Sequence, residues 1–460
     1  MRYYGLDYGT TRSLLFNYDD SDGSIGKTAD MLSAVRVLKG KIVKKGKDAW
    51  NEEVGSFEES PKYSIREGSL DNMYNGVTYK RMISEVIGNM LSDDSGNLKN
   101  SQITITVPNL YTSQNYVEMY NIVADCLKQI VGENNGVRIH LIPEPVSAAL
   151  YYAHTHLQDD GTVYLVVCDI GGGTTDMCIV KCDRHGGELI FNVLEGLQQA
   201  KIGGNDFDKR IIEFFGKNEK LMNIAEKNAV KGLKSMLSVK DEYTNIIGHM
   251  SRNQFEGAIC RELTKLRELM KNLREESKKG DQVDSSWHLM PIGGSCHIPA
   301  IRRLLKNTFP EAQMDPLTED VIISSVAQGA AIYSAYNAKA LRQYDSITVG
   351  NAMPHSVEYQ LPDRNWHVIV PQNSPDGVYR KSVMMLLEPR VEGDYYYLGI
   401  INIRESDRVT TLNAKDDVKF ELRDRAIKDI RLQLEVEITG NHINTFKVID
   451  ECGNQMVQLI

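Results

Sequence analysis

Residues 162–181, TVYLVVCDIGGGTTDMCIVK, constrain this chain more than any other stretch. Residues 163–168 are a short apolar, β-branched run of the kind that forms a buried strand. Asp169 ends it, Gly171, Gly172 and Gly173 turn the chain, and residues 177–180 read as the returning strand. Three glycines leave backbone N–H groups uncovered by side chains, a nest shaped for phosphate oxygens. Thr174 and Thr175 add hydroxyls, and Asp169 and Asp176 frame the turn with carboxylates suited to a hydrated magnesium ion. A glycine-rich hairpin alone is an ordinary tight turn. Two carboxylates around GGGTT make it a candidate phosphate clamp.

The motif recurs at the start of the chain. Residues 1–18 read MRYYGLDYGTTRSLLFNY: a strand ending in Asp7, a turn through Gly9, Thr10 and Thr11, and a strand over 13–16. Two Asp-Gly-Thr hairpins suggest a duplicated clamp, one hairpin on each side of a nucleotide. No Gly-Lys-Ser/Thr opens a helix afterwards, so neither is a Walker loop.

At 460 residues the chain exceeds one ordinary core, and two or three domains are expected. A net charge of −9 argues against generic nucleic-acid binding. Seven cysteines without a CxxC pair suit free thiols in a reducing compartment. The N-terminus enters a strand at once and no apolar run reaches membrane-spanning length. The expectation is a cytoplasmic protein with neither nucleic acid nor membrane as partner.

Between the hairpins, periodicity predicts a helix over 79–91, a buried strand over 102–107, a helix over 113–132 and a strand over 137–142. That last strand delivers Glu144 to a strand's carboxyl end, where α/β folds collect ligands. After the second hairpin come Gly203 and Gly204 with a helix over 207–215, then helices over 225–238 and 255–279. A strand over 287–292 leads into Gly293, Gly294, Ser295 and a helix over 300–308. This third glycine turn is a candidate site for a nucleotide's sugar or phosphates. Residues 326–336, VAQGAAIYSAY, form a small-residue helix able to pack closely. Beyond about 344 helical periodicity fades and short alternating segments predict an all-β domain, a sandwich. His154 and His156 lack acidic or cysteine partners nearby and read as loop residues rather than metal ligands.

The order of LDYGTT, TVPNLYTSQ, IPEPVSAAL, CDIGGGTTD, KIGGNDFDKR, IGGSCHIPAI and VAQGAAI resembles heat-shock protein 70 chaperones. The resemblance covers most of residues 1–337 and continues more faintly through the β-region. It implies a duplicated actin-like (ribonuclease H-like) two-lobed nucleotidase over 1–337, a linker over 338–346 and a peptide-binding β-sandwich over 347–460. The family's helical lid is expected to be missing. By position, Asp7, Asp169 and Asp176 would surround magnesium, largely through water. Gly9, Thr10, Thr11, Gly171, Gly172, Gly173 and Thr174 would hold phosphates, and Glu144 would help order the attacking water. ATP or ADP with Mg2+ are the implied cofactors, and K+ is a further candidate.

The chain also departs from the family. The family's phosphate-reaching lysine aligns best with Arg66, and Lys62 is the alternative. On the base side Lys234 and Ser238 match family positions, but Lys231 stands where an acid is expected and Ser235 where an arginine is. His297 replaces the arginine that stacks on the base, and Ile323 falls where an aspartate is expected. Residues 341–344, LRQY, keep half the apolar character of the family's linker. Two functions follow: an ATP-dependent chaperone-like protein holding client polypeptides, with co-chaperones as further partners, or a nucleotide-sensing module whose β-domain contacts one specific protein.

Overall fold

Both glycine hairpins form, and each is the centre of a sheet in the computed structural model of the chain. Arg2–Tyr8 and Arg12–Asp19 pair antiparallel, with Tyr8 opposite Ser13 at the turn. Ile25–Leu32 extends the pair on one side, while Gln102–Val107 and then Arg138–Pro143 join in parallel on the other. The second hairpin, Gly161–Ile170 with Thr175–His185, repeats this order. Glu188–Val193 lies antiparallel on one side and Ser286–Ile292 parallel on the other. Gln198–Ala200 and Ser346–Gly350 complete six strands. The structure describes residues 1–460 except 53, 110, 158, 195–197, 278–285, 315–318, 351–355, 362–364, 372–373, 375–376, 386–389, 393–394, 398–400, 406–407, 413–418, 422–429, 440–441, 451–452, 454 and 460.

Every residue of Gln102–Val107 is buried, although the sequence QITITV alternates polar and apolar residues: its threonines pack inward too, Thr104 Oγ1 lying 2.7 Å from Ser334 Oγ. The small-residue helix starts earlier than its periodicity indicates, as Glu319–Asn337. A methyl on Gly5 would overlap Ala327, and one on Gly329 would overlap the Ser147 carbonyl. Ser334 Oγ donates to Tyr4 O at 2.7 Å, and Ser147 Oγ donates to Val326 O at 2.7 Å. This helix therefore locks the first sheet to the helix Glu144–His156 and fixes where Glu144 emerges.

The helix Ile224–Val239 opens with a capping box, Glu226 N donating to Asn223 Oδ1 and Asn223 N to Glu226 Oε2. The helix expected over 255–279 is two, Arg252–Ala258 and Cys260–Ser277; a Ser251–Gln254 capping box starts the first, and Ile259 leaves helical geometry between them. Its expected end at 279–280 lies outside the described residues. The hairpin Glu242–Asn245 with Gly248–Ser251, polar and short, gave no sequence signal. His154 and His156 occupy the last turn of a helix, not a loop.

The chain divides into two compact units. Unit 1 comprises Met1–Pro108 and Glu118–Thr348, unit 2 Asn109–Val117 and Val349–Ile460. Residues 338–348 thus belong to unit 1. Leu341 and Tyr344 are buried, Tyr344 Oη lies 3.0 Å from His154 Nδ1, and Asp345 N donates to Gly187 O at 2.8 Å. In unit 2, one sheet holds Trp366–Val370, Val357–Gln360, Ile401–Glu405 and Arg408–Leu412. A second holds Gly377–Met385, Ile430–Thr439, His442–Asp450 and Gln455–Leu459. Val357, Tyr359, Ile401 and Ile403 of one sheet share a core with Leu434, Val436, Phe446 and Val448 of the other. Within the β-region's fainter resemblance, parts of the stretches 370–382 and 434–455 lie outside the described residues.

Candidate functional site

The two turns face each other inside unit 1. A methyl on Gly172 would overlap Thr11 Oγ1, and one on Gly173 would overlap the Tyr63 hydroxyl and reach Thr10 Cγ2 at 3.6 Å. Gly203 approaches so closely that its Cβ would lie 2.6 Å from the Gly172 carbonyl. The helix Gly204–Phe214 then spends its first amides on this turn: Gly204 N donates to Gly171 O at 3.0 Å and Asn205 N to Gly172 O at 2.7 Å. Ser295 Oγ donates to Gly171 O at 2.9 Å. Gly293 has a φ of 81°, and a Cβ there would lie 2.5 Å from Asp169 Oδ1. The third glycine turn is packed directly against the second hairpin. Gly294 borders open space.

The carboxylates gather around one lysine. Asp169 and Asp176 are cross-strand partners, the arrangement in which like charges repel most. Lys62 Nζ donates to Glu144 Oε1 at 2.9 Å, with side chains only 9% and 13% exposed. Asp7 Oδ1 accepts from Thr106 Oγ1 at 3.2 Å, and Asp176 Oδ1 accepts from Gln199 Nε2 at 2.5 Å. Burial, then repulsion by Glu144, pushes Asp7 up to about 7 and Asp176 up to about 6. Burial and the charges of Glu144, Asp176 and Asp7 raise Asp169 well above the carboxylate range. Lys62 opposes each of these shifts.

This crowd of oxygen donors fits a hard divalent cation. Among the described residues no three His, Cys, Asp or Glu side chains converge closely enough to ligate one ion directly, so a cation here would be held largely through water. Thr11 Oγ1 is buried with no hydrogen-bond partner, a polar atom that a phosphate oxygen would satisfy.

The remaining candidates divide. Lys234 Nζ donates to Gly204 O at 2.8 Å and pairs with Asp208 at 2.8 Å, which brings it to the glycine turns. Ser238 Oγ donates to its own helix at Lys234 O, 3.2 Å away. His297 Nδ1 lies 3.4 Å from Arg302 Nη2, while Arg302 Nε donates to Cys296 O at 2.9 Å. Lys231 turns to the first half of the chain, 3.0 Å from Glu59 and 3.5 Å from the Trp50 ring centroid.

The sequence matches the family described as Hsp70 protein over residues 45–358. The chain belongs to the Hsp70 family. A chaperone protein HscA from Buchnera aphidicola is 24% identical over 402 residues, covering 84% of this chain and 62% of the relative. A chaperone protein DnaK1 from Nostoc is 23% identical over 361 residues, covering 71% of this chain and 49% of the relative. A DnaK from Deinococcus proteolyticus is 27% identical over 319 residues, covering 62% and 47%. The chain therefore spans about half the length of the curated relatives it matches.

In this Hsp70-family chain the buried cation beside Glu144 is Lys62, not Arg66. Arg66 is exposed at the end of the short helix Tyr63–Arg66, and its charge lowers the Asp176 pKa. Sequence alone leaves Arg66 and Lys62 as alternatives because the segment over 50–76 folds into pieces of two to six residues, too short for periodicity to anchor. Thr106, Gln199 and Tyr63 also touch the cluster or its turn. Thr106 opens TVPNLYTSQ, but nothing in that motif marks it as a partner of Asp7, and a glutamine holding Asp176 has no sequence signature.

Proposed function

We propose that unit 1 binds and hydrolyses ATP with magnesium, and that unit 2 holds extended polypeptide, as in a chaperone. The observation that carries this reading is the facing of two Asp-Gly-Thr turns around buried carboxylates with Lys62 among them. Asp7, Asp169 and Asp176 would hold magnesium through water, and magnesium would neutralise phosphate charge once bound. Thr10, Thr11, Thr174 and the amides of Gly9, Gly172 and Gly173 would hold phosphate oxygens. Glu144, oriented by Lys62, would align the attacking water. Phosphoryl transfer asks for this positioning and electrostatics rather than for covalent help. The repeated strand order supports a duplicated actin-like architecture for unit 1, and the shared core of two sheets supports a sandwich for unit 2. Peptide would bind there by main-chain hydrogen bonding and apolar pockets.

A nucleotide-sensing module with one specific protein partner is favoured by a different observation. Ser238 and Lys231 are committed to other partners on the expected base side. Titration calorimetry with Mg-ATP, Mg-ADP and Mg-GTP, beside turnover with and without an unfolded client, separates the two. Adenine-selective binding with turnover lost in Asp169→Asn and a client-dependent rate supports the chaperone reading. Binding without turnover supports the sensor, and absence of any nucleotide binding overturns both.

A further inference from the structure

We propose that Tyr63 is a phosphate-contacting residue of this site, its hydroxyl donating to the terminal phosphate of a bound nucleoside triphosphate. The inference rests on the nucleotide-binding reading of unit 1 and adds a residue to it.

The hydroxyl lies where the side chain of Gly173 would be. Gly173 has an ordinary negative φ, so its backbone alone does not require glycine there. The close approach of the Tyr63 hydroxyl does. A phenol oxygen thus rests on the glycine turn whose amides are shaped for phosphate. Tyr63 also follows Lys62, whose ammonium is on Glu144, and it stands near enough to Asp176 and Asp206 to feel both charges. These neighbours place it at the reacting end of the cluster. Burial, then Asp206, Asp176 and Glu59, raise the phenol above its ordinary value, so near neutral pH it keeps its proton and acts as a donor. A neutral donor suits a position already lined with carboxylates, because it contributes a hydrogen bond without a further anion.

The test compares Tyr63→Phe with the parent protein by calorimetric titration of ATP, ADP and inorganic phosphate in magnesium. Loss of one hydrogen bond to a charged oxygen should weaken ATP binding about tenfold. ADP binding should stay unchanged. Melting of the nucleotide-free protein should also stay unchanged, because the ring remains. Equal affinities for ATP in parent and variant overturn the proposal, as does equal weakening of ATP and ADP, which marks a structural role. No nucleotide binding by the parent overturns the underlying reading instead. Should Tyr63→Phe fail to fold, 3,5-difluorotyrosine at position 63 keeps the shape and ionises at a lower pH than tyrosine in the same site. Its ATP affinity, relative to the parent's, must then fall with rising pH while ADP affinity does not; a flat ratio overturns the proposal.

Discussion

Lys62 and its carboxylates carry the sharpest consequences at the scale of single residues. An aspartate raised by burial keeps its proton in the fold at pH values where the unfolded chain has released it. Between about pH 4 and the raised values near 6 for Asp176 and 7 for Asp7, the folded state binds more protons. Stability of the nucleotide-free, magnesium-free protein should therefore fall as pH rises through that window. Asp7→Asn should flatten the decline, read as melting temperature at pH 5, 6 and 7.5; an unchanged slope would show that Asp7 does not titrate there. A second expectation separates the two cations. Lys62→Ala should lower ATP turnover by about a hundredfold, as loss of a buried electrostatic group does. Arg66→Ala, exposed and screened by solvent, should stay within about threefold of the parent. The reverse ranking would return the role to Arg66. Asp7, Glu144, Asp169 and Asp176 were legible because each ends a strand or opens a helix beside a glycine turn or proline. Lys62 was legible only as the alternative to Arg66, and Tyr63 not at all, because four helical residues leave no pattern to read.

At the scale of elements, long periodic segments were legible and short polar ones were not. Gln102–Val107 and Trp366–Val370 fall where alternation and apolar runs place them, because burial on one or both faces writes itself into composition. The hairpin of residues 242–251 rests on backbone pairing, and the helix that follows it starts on the Ser251–Gln254 capping box, neither of which writes a hydrophobic stripe. The 338–346 segment teaches the same lesson. Its sequence keeps only half the apolar character of the family's linker, yet Leu341 and Tyr344 are buried and His154 contacts both Tyr344 Oη at 3.0 Å and Gln343 Nε2 at 3.2 Å. Burial lowers the His154 pKa, so the packed state favours the neutral imidazole. For a histidine shifted this way, stability is retained above the ordinary value of 6.5 and lost as pH falls below it. Hydrogen exchange of residues 340–348, corrected for intrinsic rates, should be faster at pH 5.5 than at pH 7.5. His154→Phe, which keeps the ring and cannot be protonated, should remove the difference. Exchange equally fast at both pH values in the parent would mean His154 does not hold this segment.

At the scale of the whole molecule, the two units differ in what a nucleotide can reach. Every candidate site residue lies in Met1–Pro108 or Glu118–Thr348, and each unit has an apolar core of its own. Separate cores predict two calorimetric transitions rather than one, since cooperative unfolding follows the core. A ligand binds only the folded form of the unit that holds its site, and at a hundred times its Kd it adds about 2.7 kcal/mol there. Mg-ATP should thus raise one transition and leave the other in place. Asp169→Asn should abolish that rise without moving the second transition. The position of the second transition is the informative quantity for function. A chaperone must transmit nucleotide state to the peptide-holding unit, so adding an extended client peptide should raise the second transition by an amount that depends on whether ATP is present. Mass action makes that dependence reciprocal: the client must alter ATP affinity by the same factor that ATP alters client affinity. A client effect identical with and without ATP would mean that the two units bind their ligands independently, and the sensor reading would then describe this Hsp70-family chain better than the chaperone one.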